Sequence, residues 1–283
     1  MKRIATVLSL ALALCACQPS FVILHVNDTH SHLEPEHSGP YKGIGGVIER
    51  AACVDSVRKA MGKNRTLLLH AGDFNQGTSY YSELGGSIEV DLANALGYDC
   101  IVLGNHEFDN GIEDLSARLA RLNCPVVCAN IDVSPFELSK FVTPYTILRR
   151  AGRKIGIIGL TSNLSANVSA TISSRIPQLD NVEVTRKWAA YLHDEEKCDM
   201  IILLSHLGYS NDKALIPDTR HIDLVVGGHS HTFVEDFIYV ADADGKEVPI
   251  IQDGCFGYNV GMITVGQQAS SRISAKSLTG RSE

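Results

Sequence analysis

The sequence predicts an α/β fold, and three observations lead there. Short apolar runs rich in β-branched residues recur along the chain, amphipathic helical patterns separate several of them, and most runs are uniformly apolar, as strands covered on both faces require. The expected strands are residues 21–26, 66–70, 100–103, 125–128, 154–160, 200–204 and 223–226, and the expected helices are 46–61, 87–96, 111–122 and 182–196. Such alternation builds largely parallel α/β units. From 233 to 265 the pattern changes to a late antiparallel meander, with Asp244-Gly245 as its hairpin turn and 258–265 as a closing strand. Residues 268–283 turn polar and Ser/Lys/Arg-rich, which predicts a tail or frayed helix.

Bulk properties narrow the class. With 283 residues, 45% of them hydrophobic, the chain can bury one large core. Lys2 and Arg3 precede an apolar run over residues 4–14, too short for a membrane-spanning helix, which needs about 20 apolar residues. The run ends in Leu14-Cys15-Ala16-Cys17, which resembles a bacterial lipobox. Residues 1–16 are therefore expected to be a signal peptide and Cys17 the acylated first residue of an exported lipoprotein, held on a membrane in the periplasm or at the cell surface; an uncleaved anchor or a plain secretory signal is the alternative. The formal net charge of −7 becomes more negative once Lys2 and Arg3 are removed, which excludes binding of nucleic-acid polymers by a basic surface. Cys53, Cys100, Cys124, Cys128, Cys198 and Cys255 form no paired C-x-x-C pattern and read as small buried thiols, with any pairing left open.

The chemistry lies in the loops that leave the strands. Residues 21–26 run into Asn27-Asp28-Thr29-His30, 66–70 into Gly72-Asp73, 100–103 into Gly104-Asn105-His106-Glu107-Phe108-Asp109, 200–204 into Ser205-His206, and 223–226 into Gly227-Gly228-His229-Ser230-His231. Ligands of open α/β sheets bind at the carboxyl ends of strands, so these five loops can meet although they span some 200 residues. Imidazoles, carboxylates and an amide together suit divalent cations of borderline to hard character. Asp28 and His30, two apart on a segment expected to be extended, would face one side, and His229 and His231 repeat that spacing after two glycines expected to ease a sharp turn. Asp73 could bridge two ions, and Asn105 offers a neutral carbonyl oxygen.

The order Asp-x-His, Gly-Asp, Gly-Asn-His-Glu, a lone His after a strand, and Gly-His-x-His resembles the calcineurin-like metallophosphoesterases. Gly45-Gly46, Ala93-Asn94-Ala95-Leu96-Gly97-Tyr98-Asp99 and the loops at 104–109 and 227–231 resemble their 5'-nucleotidase branch, over about residues 21–265. The resemblance implies a four-layer α/β/β/α sandwich with two mixed β-sheets, a catalytic domain over 17–267, and two divalent ions (Zn, Mn, Mg, Co or Fe). One ion would sit on Asp28, His30, Asp73 and His231, the other on Asp73, Asn105, His206 and His229. The branch often has Gln at the position of His231, which leaves metal identity open. His106 and Asp109 would form the catalytic dyad, with Asn105 and His106 also touching substrate. The implied reaction is hydrolysis of a phosphoester or nucleotide by activated water, with His106 stabilising phosphoryl charge or protonating the leaving group.

Such enzymes carry a C-terminal nucleotide-binding domain. That domain is expected to be absent here, so the chain would act alone with an open site or borrow a separate nucleotide-binding subunit. Alternatives are a non-catalytic binding lipoprotein, or hydrolysis of sulfur-linked sulfate esters or cyclic nucleotide phosphodiesters. Of the other histidines, His25 and His70 read as satisfied core residues, and His32, His37, His193 and His221 as loop or helix-surface residues, with reach to the metal rim as the alternative for His32. Glu107 is expected to face away or support its loop. Asn130 is expected either to approach the site or to sit in a turn, and the sequons at Asn163 and Asn167 are discounted.

Overall fold

The computed structural model describes residues 21–266 and 273–279; the expected signal peptide, Cys17 and the remainder of the polar tail lie outside the described residues. The strands are β1 (Phe21–Val26), β2 (Thr66–His70), β3 (Cys100–Val102), β4 (Val126–Val127), β5 (Val142–Thr143), β6 (Tyr145–Arg150), β7 (Arg153–Leu160), β8 (Met200–Ser205), β9 (Leu224–Val226), β10 (Ile238–Ala241), β11 (Glu247–Ile251), β12 (Asn259–Val265) and β13 (Ile273–Thr279). The helices are α1 (Val47–Met61), α2 (Ser79–Leu84), α3 (Ser87–Leu96), α4 (Ile112–Leu119), α5 (Leu164–Asn167), α6 (Ala170–Ser173), α7 (Asn181–Asp194) and α8 (Tyr209–Leu215).

The strands form two mixed sheets, one in the order β13-β12-β1-β2-β3-β4-β5 and one in the order β10-β11-β9-β8-β7-β6. Period-two alternation of the side chains divides the layers. Phe21 and Ile23 of β1 point between the sheets, where they join Leu67, Leu69, Val102, Ile155, Ile157, Ile202, Leu204, Val226 and Ile263 in one core. Val22, Leu24 and Val26 point outward to Val54 of α1 and to Val90, Ala93 and Leu96 of α3. On the far side, Ile158, Leu160, Ile201 and Leu203 meet Ala189 and Leu192 of α7 and Leu215 of α8. Helix, sheet, sheet and helix stack as four layers, which is the expected sandwich.

Two expectations fail. The segment 233–265 is not one meander: β10 and β11 form the expected hairpin, but β11 then runs parallel to β9, and β12 crosses to the other sheet to pair antiparallel with β1. The crossing places Ile263 and Val265 in the core between the sheets. The polar tail is also not wholly irregular, because 273–279 pairs antiparallel with β12. Its composition misled, since a sheet edge is completed by backbone N–H and C=O groups and asks little of the side chains.

Candidate metal centre

The parallel strands β1, β2 and β3 and the parallel strands β8 and β9 release their chains at one rim, and the donors meet there. Donor atoms of Asp28, His30 and His231 lie within 4.8 Å of one another, as do those of Asp73, His206 and His229 and those of His30, Asp73 and His106. Asp28 Oδ1 lies 3.8 Å from His30 Nε2, 3.4 Å from His231 Nε2 and 3.9 Å from His206 Nε2. Asp73 Oδ2 lies 2.9 Å from His206 Nε2. Asn105 and His106 line the same open cleft of about 510 Å³, and His106 Nδ1 donates to Asp109 Oδ2 at 2.8 Å. Every residue expected at the site is therefore brought to it.

The backbone reaches this arrangement in an unexpected way. Asp28 (φ 48°), His30 (45°), Asp73 (54°), His229 (75°) and His231 (53°) all adopt the left-handed region, so Asp28 and His30 leave no extended segment. Each such non-glycine residue costs about 1–2 kcal/mol, and strain of this kind gathers at functional sites when the surrounding structure holds it. Here Asp28 N donates to Gly72 O, His30 N to Asp73 O, and His229 N to Asp28 Oδ2. Gly228 serves space rather than turning: a Cβ there would strike Ala71 O, with His206 Nδ1 2.8 Å away.

The residues fit a cation. His206 Nδ1 donates to Ala71 O at 2.6 Å and His30 Nδ1 to Asn75 O at 3.2 Å, which fixes the tautomers and turns both Nε2 lone pairs inward. His206 Nε2 is fully buried with the Asp73 carboxylate beside it, and the Nε2 atoms of His30 and His231 face each other at 3.0 Å. Burial disfavours charge on His206, yet Asp73 and Asp28 outweigh it and raise its pKa to about 10. Contact with Asp28, then Cys255, raises His231 to about 10. Asp73 stays well below the usual carboxylate range, because the charge of His206 overcomes its burial. The pocket thus attracts positive charge, and its imidazole and carboxylate donors suit a divalent ion.

Residues 21–233 match the model of the family described as calcineurin-like phosphoesterase. The chain belongs to that family. It is 33% identical over 276 residues to a 5'-nucleotidase of Bos taurus, covering 86% of this chain and 46% of the relative. It is 34% identical over 266 residues to an apyrase of Tabanus yao, covering 86% and 47%. Among solved structures it resembles a 5'-nucleotidase precursor from Thermus thermophilus, with a TM-score of 0.84 and 32% identity over 92% of this chain and 54% of the other. The chain spans about half the length of the curated relatives it matches.

Other residues of this calcineurin-like phosphoesterase support the centre. Glu107 is fully buried and accepts from the backbone N–H groups of Asp73, Phe74, Asn75 and Gly104, so it supports the loop as expected. Ser162 Oγ donates to Asn105 Oδ1 at 3.1 Å, and Ala166 and Asn167 line the cleft. Sequence reasoning passed over this loop, although Thr161-Ser162-Asn163 after β7 is the same signal of polar residues at a strand end. Asn130 does not reach the donors; its amide spans Thr161 and Asn181, bracing that loop. His70 is satisfied, since it accepts from Gly72 N and bonds to Thr29 Oγ1. His25 is not: both ring nitrogens are buried without a hydrogen-bond partner among the described residues, and Asp253 Oδ2 lies 3.9 Å away. The six described cysteines are free thiols, with Cys100 and Cys128 buried and the other four only half-buried.

Proposed function

We propose that this phosphoesterase hydrolyses phosphate monoesters, nucleoside 5'-monophosphates in particular, at two divalent cations. Asp28, His30, Asp73 and His231 would hold one, and Asp73, Asn105, His206 and His229 the other. The observation that carries the reading is the position of Asp73, whose carboxylate is within ligand reach of His30 on one side and of His206 and His229 on the other. When bound, such a pair supplies Lewis-acid charge for phosphoryl oxygens and makes water a competent nucleophile near neutral pH. The donor set admits Zn, Mn, Mg, Co or Fe.

The chain's own groups do the rest. Asp109 orients the His106 imidazole and keeps its proton, leaving the Nε2 side for a phosphoryl oxygen or the departing alkoxide. His106 N donates to Asp73 Oδ1 at 2.9 Å, which ties the dyad to the carboxylate shared by both donor groups. The relatives named as 5'-nucleotidases support the nucleotide as substrate. The test is a panel of metals against phosphoesters, with cyclic nucleotides and a sulfur-linked sulfate ester included, on purified protein with Asp73→Asn as control. Turnover of phosphate monoesters by metal-replete wild type, and loss of turnover and of bound metal in the variant, are expected. No monoester hydrolysis under any metal, or a fully active Asp73→Asn, would remove the reading.

We also propose that the chain is exported and anchored through a lipid on Cys17, on the strength of the Leu14-Cys15-Ala16-Cys17 sequence. Labelled palmitate should enter the wild type expressed in a bacterium and not Cys17→Ser; equal labelling would dismiss the anchor. Among the described residues no helix is long and apolar enough to cross a membrane.

A further inference from the structure

One wall of the cleft is aromatic. Phe256 lines it with His30, His32 and His231. The Phe256 ring stacks on His32 with centroids 4.1 Å apart and planes at 21°, and it meets His30 and His231 edge-on at 5.9 and 5.7 Å. This stack is braced from behind. His32 Nδ1 and the Tyr258 hydroxyl both donate to Glu36 Oε1, at 3.1 and 2.8 Å, and Tyr258 in turn stacks on Tyr41 at 4.7 Å. Beyond His32 the cleft continues into a hollow of about 230 Å³ lined by Glu34, His37, Thr78 and Tyr80.

Phe256 occupies this place at φ 58°, a left-handed conformation that any side chain with a Cβ resists. Its neighbours Gly254 (φ 76°) and Gly257 (φ 64°) are glycines in the same region. The turn uses glycine at two of its left-handed positions, and at Gly257 a Cβ would also strike the Arg50 side chain. Phe256 N donates to Asp28 O at 2.7 Å, a bond that glycine would make equally well. What glycine could not supply is the ring, and strain kept for the sake of a side chain at a cleft points to a use for that side chain.

We infer that the His32–Phe256 stack is a platform for the flat aromatic base carried by a nucleoside leaving group. The inference rests on the hydrolase reading above and names the part of the substrate that this chain itself recognises. A stack held rigid before the ligand arrives loses little freedom on binding, and base–aromatic stacking is strong enough to change affinity roughly tenfold.

The test compares adenosine 5'-monophosphate with ribose 5-phosphate, which has a hydroxyl where the nucleotide has its base. Metal-loaded wild type should prefer the nucleotide roughly tenfold in kcat/KM. Phe256→Gly, which also suits the local φ, should bring the ratio close to one through KM for the nucleotide, with kcat and metal content retained; His32→Ala should do the same more weakly. A preference that survives Phe256→Gly overturns the platform. So does a variant that loses kcat for both esters together with bound metal, because Phe256 would then only position His30 and His231. If wild type hydrolyses neither ester, the hydrolase reading fails separately. Calorimetric titration of both esters into the metal-loaded protein still decides the platform, since equal affinity for the two would sink it.

Discussion

The imidazole of His106 owes its proton affinity mainly to one contact. Asp109 Oδ2 accepts from its Nδ1, and this raises the pKa above the ordinary imidazole value although partial burial pulls the other way. A raised pKa extends the protonated form to higher pH, so a reaction that uses imidazolium should fade only above the usual imidazole range. Asp109→Asn is expected to move the alkaline limb of kcat to lower pH, and an unmoved limb in the pH profile would separate Asp109 from the proton. His106→Ala should lower kcat by about 10²–10⁴ with metal content kept. Loss of metal in this variant, measured by elemental analysis, would make His106 a ligand instead, an assignment its closeness to His30 and Asp73 brings within reach of test.

At the scale of elements, buried polar side chains reinforce the backbone hydrogen bonds that hold the loops. Glu107 sits in a single 3₁₀ turn, His106–Phe108, yet it caps the loop after β2 as well as its own. Burial and then the neighbouring Asp73 carboxylate push its pKa up, to about 7, while the backbone donors it satisfies pull it back. Glu107→Ala would leave those buried N–H groups without an acceptor, at about 1–3 kcal/mol each, so a fall in stability of at least about 3 kcal/mol is expected in denaturant titration. A smaller change would mean that water replaces the carboxylate.

Asp253, beside the crossover from β11 to β12, behaves differently. Burial raises its pKa to about 7, so the folded chain binds this proton more tightly than the unfolded chain. Below the usual carboxyl range both states are protonated and no penalty arises; as pH rises toward 7 the unfolded state ionises first, and stability falls. Asp253→Asn should therefore raise Tm at pH 8, by an amount that shrinks toward zero near pH 4. A gain that does not vary with pH would show that the proton is not the cause.

For the whole molecule, the donor cluster joins the two sheets. β1, β2 and β3 belong to one sheet and β8 and β9 to the other, so Asp28 and Asp73 meet His206 and His229 across the seam. A cation bound there would link the halves, and binding only to the folded state adds about 2.7 kcal/mol when free metal is 100 times Kd. At about 2–4 °C per kcal/mol, chelation should lower Tm by roughly 5–10 °C, and calorimetry with and without chelator measures it. An unchanged Tm would mean that the donors hold no tight ion.

The central strands and the long helices were legible in the sequence because both depend on local periodicity, and β1, β2 and α3 lie on their expected residues; β5, β6 and the short helices α2, α5, α6 and α8, too brief to show a period or only half-buried, were not foreseen. The donors were legible too, since polar residues following apolar strands in a parallel sheet must all appear at one rim. Only the tertiary structure decided which sheet β12 joins, because pairing partners are chosen by non-local burial, and only it revealed β13, whose ladder needs no apolar pattern. It also decided the left-handed turns at Asp28, His30 and Asp73 and the strained ring of Phe256. Conformations that are unfavourable locally cannot be read from local preference; they persist because hydrogen bonds and packing from distant segments hold them.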